Sequence, residues 1–195
     1  MSEKKAKHSE VLKLTITAML LAVCMVSQVF KNLSVYITGP VVNTCLVLCM
    51  LTAGLKYALL LALITPVTAY FISAAPVMTA VPGIVPLIMA GNVVLVVVAF
   101  FFVRPTLKKN TVKNSVFYGI TSVIAAGAKG AFMGLTISLW LLPTFLPEAS
   151  PLRKKLGVFQ TMFSLTQFVT ALIGFVYLFV VWQAVKKFFA SEMGE

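Results

Sequence analysis

The chain has 195 residues, 60% of them hydrophobic, with five acids against sixteen lysines and arginines, a formal charge of +11 and a mean hydropathy of +1.01. A water-soluble domain of this length cannot hide so much apolar surface, so the composition specifies an integral membrane protein. The bases flank apolar runs, so membrane topology explains them better than a nucleic-acid partner would, and no nucleic acid is expected.

About 20 apolar residues cross a bilayer core, and six such runs follow one another. After a short basic tail (1–10) the first runs over 11–30. It is not expected to be a leader: no small-x-small cleavage site follows it, five more spans do, and in "LAVC" (21–24) Val23 is bulky where lipid-attachment sites want a small residue. The second, 41–54, is short and is divided from the third, 57–74, by Gly54 and Lys56. The fourth covers 84–103, and the connector "RPTLKKNTVK" (104–113) is the clearest break before the fifth, 115–140. The sixth covers 157–185 and leads into a tail at 187–195. The expected fold is an all-α membrane protein, one domain over 1–195 built as a compact bundle of six transmembrane helices.

Charge sets the expected orientation. With both termini cytoplasmic, Lys4, Lys5, Lys7, Lys13, Lys56, Arg104, Lys108, Lys109, Lys113, Lys186 and Lys187 lie inside, and Lys31, Arg153, Lys154 and Lys155 lie outside. Eleven against four follows the positive-inside rule and points to a multi-pass protein of the cell membrane.

Several chemistries lack their residues. The acids (Glu3, Glu10, Glu148, Glu192, Glu195) and the single histidine, His8, all fall in tails or a loop. Intramembrane metal hydrolysis needs His and carboxylate ligands at depth, and a proton-coupled carrier usually needs a carboxylate or histidine in its spans. Cys24, Cys45 and Cys49 sit in apolar runs without a paired CxxC or histidine, and read as small buried hydrophobes. No GxxxxGK[ST] cradle exists for ATP, so no enzymatic role, metal or cofactor is expected in this chain, and uphill transport needs energy from a partner.

What remains is one charge where none is expected. Lys129, in "AAGAKGAFMG" (125–134), lies about 14 residues from the cytoplasmic end of its span, or ~20 Å at 1.5 Å per residue, in the outer half of the membrane. A lysine at the bilayer centre costs roughly 2.5–3.5 kcal/mol on insertion scales, so protein or water has to shield it. Asn92 on the fourth span, and Gln160, Ser164 and Gln167 on one face of the sixth, bring polar groups to a similar depth. Gly127, Gly130 and Gly134 let other groups approach the lysine. Two readings compete: the amides bond across helices and the lysine snorkels outward, or together they line an outward cavity and receive a carboxylate or polar ring. The connections "NLSVYITGPVVN" (32–43), "AAPVMTAVPG" (74–83) and "LPTFLPEASPLRKKLG" (142–157) are punctuated by Pro and Gly. They read as loops that can close over a site, with Tyr36 and Asn43 among the contributing groups.

In size, topology and site placement the chain resembles the substrate-binding S components of energy-coupling factor (ECF) transporters. The first helix of that family commonly carries an AxxxA docking motif, which reads here as "AMLLA", Ala18 to Ala22. The resemblance implies capture of a vitamin-like small molecule near the outer face, between helices four to six and the loops, where Asn92, Lys129 and Gln167 fall. It also implies docking, through Ala18 and Ala22, on a coupling membrane subunit with two ATPases that consume the ATP. With a cation and amides but no acid in the membrane, the expected ligand is neutral or anionic. An autonomous small carrier or channel, or a regulatory membrane subunit without a ligand, are the alternatives.

Overall fold

The computed structural model describes the backbone of residues 3–30, 34–107 and 112–193, and the side chains of 9–30, 34–107 and 115–185. Glu3, Lys4, Lys5, Lys7, His8, Lys31, Lys108, Lys109, Lys113, Lys186, Lys187, Glu192 and Glu195 therefore lie outside the described side chains. Among the described residues there are helices and turns and no strand. Six helical stretches are long and apolar enough to span a membrane: Ser9–Val29, Val35–Thr52, Leu55–Ser73, Ile84–Leu107, Ser115–Phe145 and Pro151–Val185. Backbone polar groups in hydrocarbon have to be satisfied within the segment, so apolar runs of this length fold as helices.

The elements in chain order are α1 (Glu3–Val29), α2 (Val35–Thr52), α3 (Leu55–Ser73), α4 (Pro76–Ala80) and α5 (Ile84–Val98). A π-helical stretch, Ala99–Val103, then leads to α6 (Arg104–Leu107). Next come α7 (Val112–Met133), a second π-helical stretch (Gly134–Leu141) and α8 (Leu142–Phe145). A 3₁₀ turn (Pro151–Lys155), α9 (Leu156–Phe163) and α10 (Leu165–Met193) complete the chain.

Three expectations about connections are corrected. The stretch 32–43 is not a loop beyond Ser34: α2 starts at Val35, N-capped by the Ser34 hydroxyl accepting from the Tyr36 N–H at 3.1 Å, and it carries Pro40 inside. The connector 104–113 is shorter than expected, because α6 extends the fourth span to Leu107 and α7 starts at Val112. The sixth span is broken: Ser164 adopts φ −120°, ψ −86° between α9 and α10, so Gln160 and Gln167 do not share a face of one continuous helix. The α2–α3 turn does follow the sequence. Gly54 has φ +99°, a left-handed value that glycine adopts without steric cost, and two residues reverse the chain.

Six successive spans place the start of α1 and the end of α10 on one face, here the terminal face, and the start of α2 with the connections at 74–83 and 146–155 on the distal face. Tyr57 Oη donating to Glu10 Oε2 at 2.7 Å fastens α3 to α1 near the terminal face. α2 is the central element, 61% of its span being buried, whereas α1 with 6% is peripheral. Close approach to α2 depends on small residues. A Cβ at Gly39 would stand 2.8 Å from Thr170 Cβ, and one at Gly174 would stand 2.9 Å from Asn43 Cβ and 3.0 Å from the Pro40 carbonyl oxygen. Thr44 Oγ1 bonds the Gly174 carbonyl at 2.9 Å across the same crossing.

Two apolar cores result. One, toward the terminal face, includes Leu46, Met50, Leu61, Leu95, Ala126 and Leu178; the other, toward the distal face, includes Val77, Ile84, Met133, Ile137, Leu142 and Phe163. The buried polar residues Asn43, Asn92 and Lys129 fall between these cores along their helices.

Gly174→Ala should lower stability by about 1–3 kcal/mol, the usual range for overpacking, because its Cβ would meet Asn43 and backbone. Gly119→Ala on α7, where nothing lies within 4 Å of the new Cβ, should be neutral or stabilising by up to ~1 kcal/mol. Thermal melts of the two detergent-solubilised variants beside the wild type check the contrast.

Candidate ligand-binding site

Lys129 does not run outward along its stem. It is 3% exposed and its Nζ donates to Asn43 Oδ1 at 2.7 Å and to Asn92 Oδ1 at 2.8 Å. The three residues come from α7, α2 and α5. Asn43 and Asn92 each lie eight residues inside the distal end of their helix, ~12 Å down the axis. Glycines bring the helices to this distance: Gly174 lets α10 press on Asn43, and Gly91, beside Asn92, accepts Met133 of α7 where a Cβ would be 2.6 Å from its Cγ. Gly130 accepts Phe168 of α10, and Gly134 faces Ser164. Gly127 has nothing within 4 Å of its Cβ position, so it does not serve the close approach expected of it.

The cluster forms part of the wall of a partly open cavity of about 130 Å³. Its polar lining is Gln28, Thr38, Asn43, Thr65, Asn92, Lys129 and Gln167; the apolar lining includes Val42, Pro66, Met78, Ile88, Met162 and Phe163. The cavity belongs to the distal half of the bundle, since its lining draws on the start of α2, the last turn of α1, α4 and the end of α9. Gln28 holds its position through Nε2 donating to the Thr65 carbonyl at 3.0 Å, while its Oε1 accepts from Thr68 Oγ1 at 2.9 Å.

Four sequence candidates, Lys129, Asn92, Asn43 and Gln167, are thus brought together at one cavity. Three are not. Gln160 donates through Nε2 to the Ser138 carbonyl at 2.9 Å while Ser138 Oγ returns a bond to the Gln160 carbonyl at 2.8 Å, a tie between α9 and the second π-helical stretch. Ser164 Oγ bonds the Gln160 carbonyl at 2.6 Å, closing the end of α9. Tyr36 is 52% exposed and outside the lining. For Gln160 the break at Ser164 removes the helical register that would have put it on the face of Gln167.

Gln28, Thr38 and Thr65 escaped the sequence reading. Thr65 was detectable: it lies eight residues from the distal end of α3, the same depth as Asn43 and Asn92 in their helices. Gln28 sits one residue from the end of α1, where a polar side chain ordinarily reads as interfacial. Ala18 and Ala22 lie on the outer surface of α1 and are exposed. Among the described residues no group of His, Cys, Asp and Glu is arranged to hold a metal ion. No protein-family model, no curated protein and no solved structure matches the chain.

Asn92→Leu should destabilise the protein by about 1.5–3 kcal/mol, the worth of a hydrogen bond to a charged group, because Lys129 loses one of its two acceptors. In a Lys129→Met background the same change should be smaller by about 1 kcal/mol or more, since no cation remains to be stranded. Unfolding of the four proteins of this cycle measures the coupling; additive effects would mean that the two side chains do not interact.

Proposed function

We propose that this chain is the membrane-embedded, substrate-capturing subunit of an ATP-driven importer of the ECF type, taking up a vitamin-like small molecule, neutral or anionic. The observation that carries this reading is the buried lysine at the cavity wall, with two of its three N–H groups committed to carboxamides and, among the described residues, no acid beside it. A lysine needed only to tie helices together would not have to border open space. One that receives a solute would.

The charge distribution supports cytoplasmic termini, and with them a cavity on the outer side of the cell membrane. Such a site suits capture from outside. The chain carries no phosphate-cradling loop, so energy for uptake is assigned to partners: a coupling membrane subunit and two ATPases. The peripheral α1 supports this assignment, since Ala18 and Ala22 leave a shallow outer surface on which another helix can approach closely.

Mass spectrometry of the small molecule retained by the purified chain, with uptake measured in cells, tests the proposal. Ala18→Trp with Ala22→Trp should reduce uptake to background and leave binding by the isolated chain within about twofold of wild type, because the rings block helix contact far from the cavity. Normal uptake by this double variant removes the docking claim. Flux through liposomes containing the chain alone would instead make it an autonomous carrier or channel.

A further inference from the structure

The groups left free on the cavity wall narrow the chemistry of what enters, given the reading of the chain as a small-molecule binder. An ammonium only donates, so Asn43 and Asn92 have to turn their oxygens toward Nζ. Both amide orientations are thereby fixed, and each NH₂ group is left as a donor. That corner of the cavity therefore offers one positive charge, the third lysine N–H and two amide donors. No described acid offsets the charge: Glu10 is tied to Lys13 and Tyr57 near the terminal face, and Glu148 is exposed in the distal connection. A buried cation without a partner is unfavourable, and an entering anion relieves it. The count of charges is one. Asn43 and Asn92 lie two turns inside their helices, away from the helix starts, and no arginine lines the cavity, so the features that suit a doubly charged phosphate are missing.

A second observation comes from α3. Helical threonines in this chain turn their hydroxyls back to the carbonyl four residues earlier, as Thr17, Thr44, Thr52 and Thr136 do. Thr65 does not. It is 1% exposed, it belongs to the cavity lining, and its hydroxyl has no hydrogen-bond partner. Leaving a buried hydroxyl unpaired costs about 1–3 kcal/mol, which a ligand atom at that position would recover. The remaining wall is largely apolar, with Met78, Ile88 and Phe163. A cavity of about 150 Å³ takes one benzene ring, so one of about 130 Å³ encloses roughly five or six non-hydrogen atoms, and a larger ligand extends through its open side.

We infer that the cavity takes a small monocarboxylate, its carboxylate bound by Lys129 with Asn43 and Asn92, and a polar group of its body bound by the Thr65 hydroxyl.

The test uses the full chain in detergent and a set of monocarboxylates of about five to ten non-hydrogen atoms, each paired with its primary amide. Melting-temperature shifts find binders and titration ranks them. At least one acid should stabilise the protein and bind about tenfold or more tightly than its amide, the loss expected when a charged hydrogen bond becomes a neutral one. Lys129→Met should abolish the preference of acid over amide. Thr65→Val should weaken that acid about threefold to tenfold while leaving the melting of the empty protein equal or higher, since an unpaired hydroxyl is removed. An amide that binds as tightly as its acid overturns the carboxylate assignment and leaves the binder reading standing. Unchanged affinity in Thr65→Val overturns the role of Thr65. If no compound of either set binds, the inferred class is wrong; a different small molecule retained from cells then upholds the binder reading, and none retained defeats that reading as well.

Discussion

The bundle is organised around the need to satisfy one ammonium within the hydrocarbon thickness. Lys129 reaches two acceptors, and they come from two different helices, so α2, α5 and α7 have to close on one point. Two hydrogen bonds to a charged group, at about 1.5–3 kcal/mol each, are comparable with the roughly 2.5–3.5 kcal/mol that a central lysine costs on insertion. The balance holds only if the geometry holds. That geometry rests on glycines at Gly91, Gly130 and Gly174, where a single added methyl would stand under 3 Å from a neighbour. The lysine and the glycines thus form one requirement, in which polar satisfaction dictates helix spacing and helix spacing dictates which residues are small.

The same requirement divides the molecule along the membrane normal. Toward the terminal face, long helices pack around an apolar core with few polar ties, such as Tyr118 Oη donating to the Phe175 carbonyl at 2.6 Å. Toward the distal face, the chain is built from short pieces: α4, α8, the 3₁₀ turn, α9 and a π-helical stretch. These pieces are held by individual bonds, Arg153 Nη1 to the carbonyls of Pro143 and Leu146 at 2.8 and 2.9 Å among them. A helical stretch with i→i+5 bonding and single-turn helices offer side chains at angles that a straight helix does not. Most of the short pieces occur on the side of the cavity, the π-helical Ala99–Val103 and α6 being the exceptions toward the terminal face.

The six spans were legible because hydrocarbon imposes one rule on every segment, length with apolarity, and that rule is local in sequence. Lys129 was legible for the converse reason, as a residue that breaks the rule and so needs an explanation. Its partners were partly legible, since depth along a helix follows from residue count; Asn92 and Asn43 stand at a depth that simple counting yields. Direction around the helix was not legible for the last span. The break at Ser164 follows a turn of α9 that is tied to the second π-helical stretch through Gln160 and Ser138, and no spacing in the sequence announces it. Proline misled in α2 for a related reason: Pro40 reads as a loop signal, yet within a bundle the helix continues through it. Thr65 looked unremarkable because helical threonines ordinarily satisfy themselves, and only the folded chain reveals one that does not.

The choice of carboxamides, in place of a carboxylate, as the lysine's partners has a consequence for binding. A carboxylate would neutralise the cation, complete its hydrogen bonds and remove any preference for an incoming anion. Two amide oxygens hold the ammonium in position and leave its charge uncompensated. On the proposed reading, the empty site then carries an electrostatic deficit that a solute of the right sign relieves, so part of the affinity is stored in the unoccupied protein. Because the deficit exists only while α2, α5 and α7 stay closed on Lys129, a displacement of any one of them weakens capture. On the proposed reading, release therefore needs no chemistry at the cavity. A partner that shifts one of these helices, acting through α1 against α2 and α3, is enough to let the solute go.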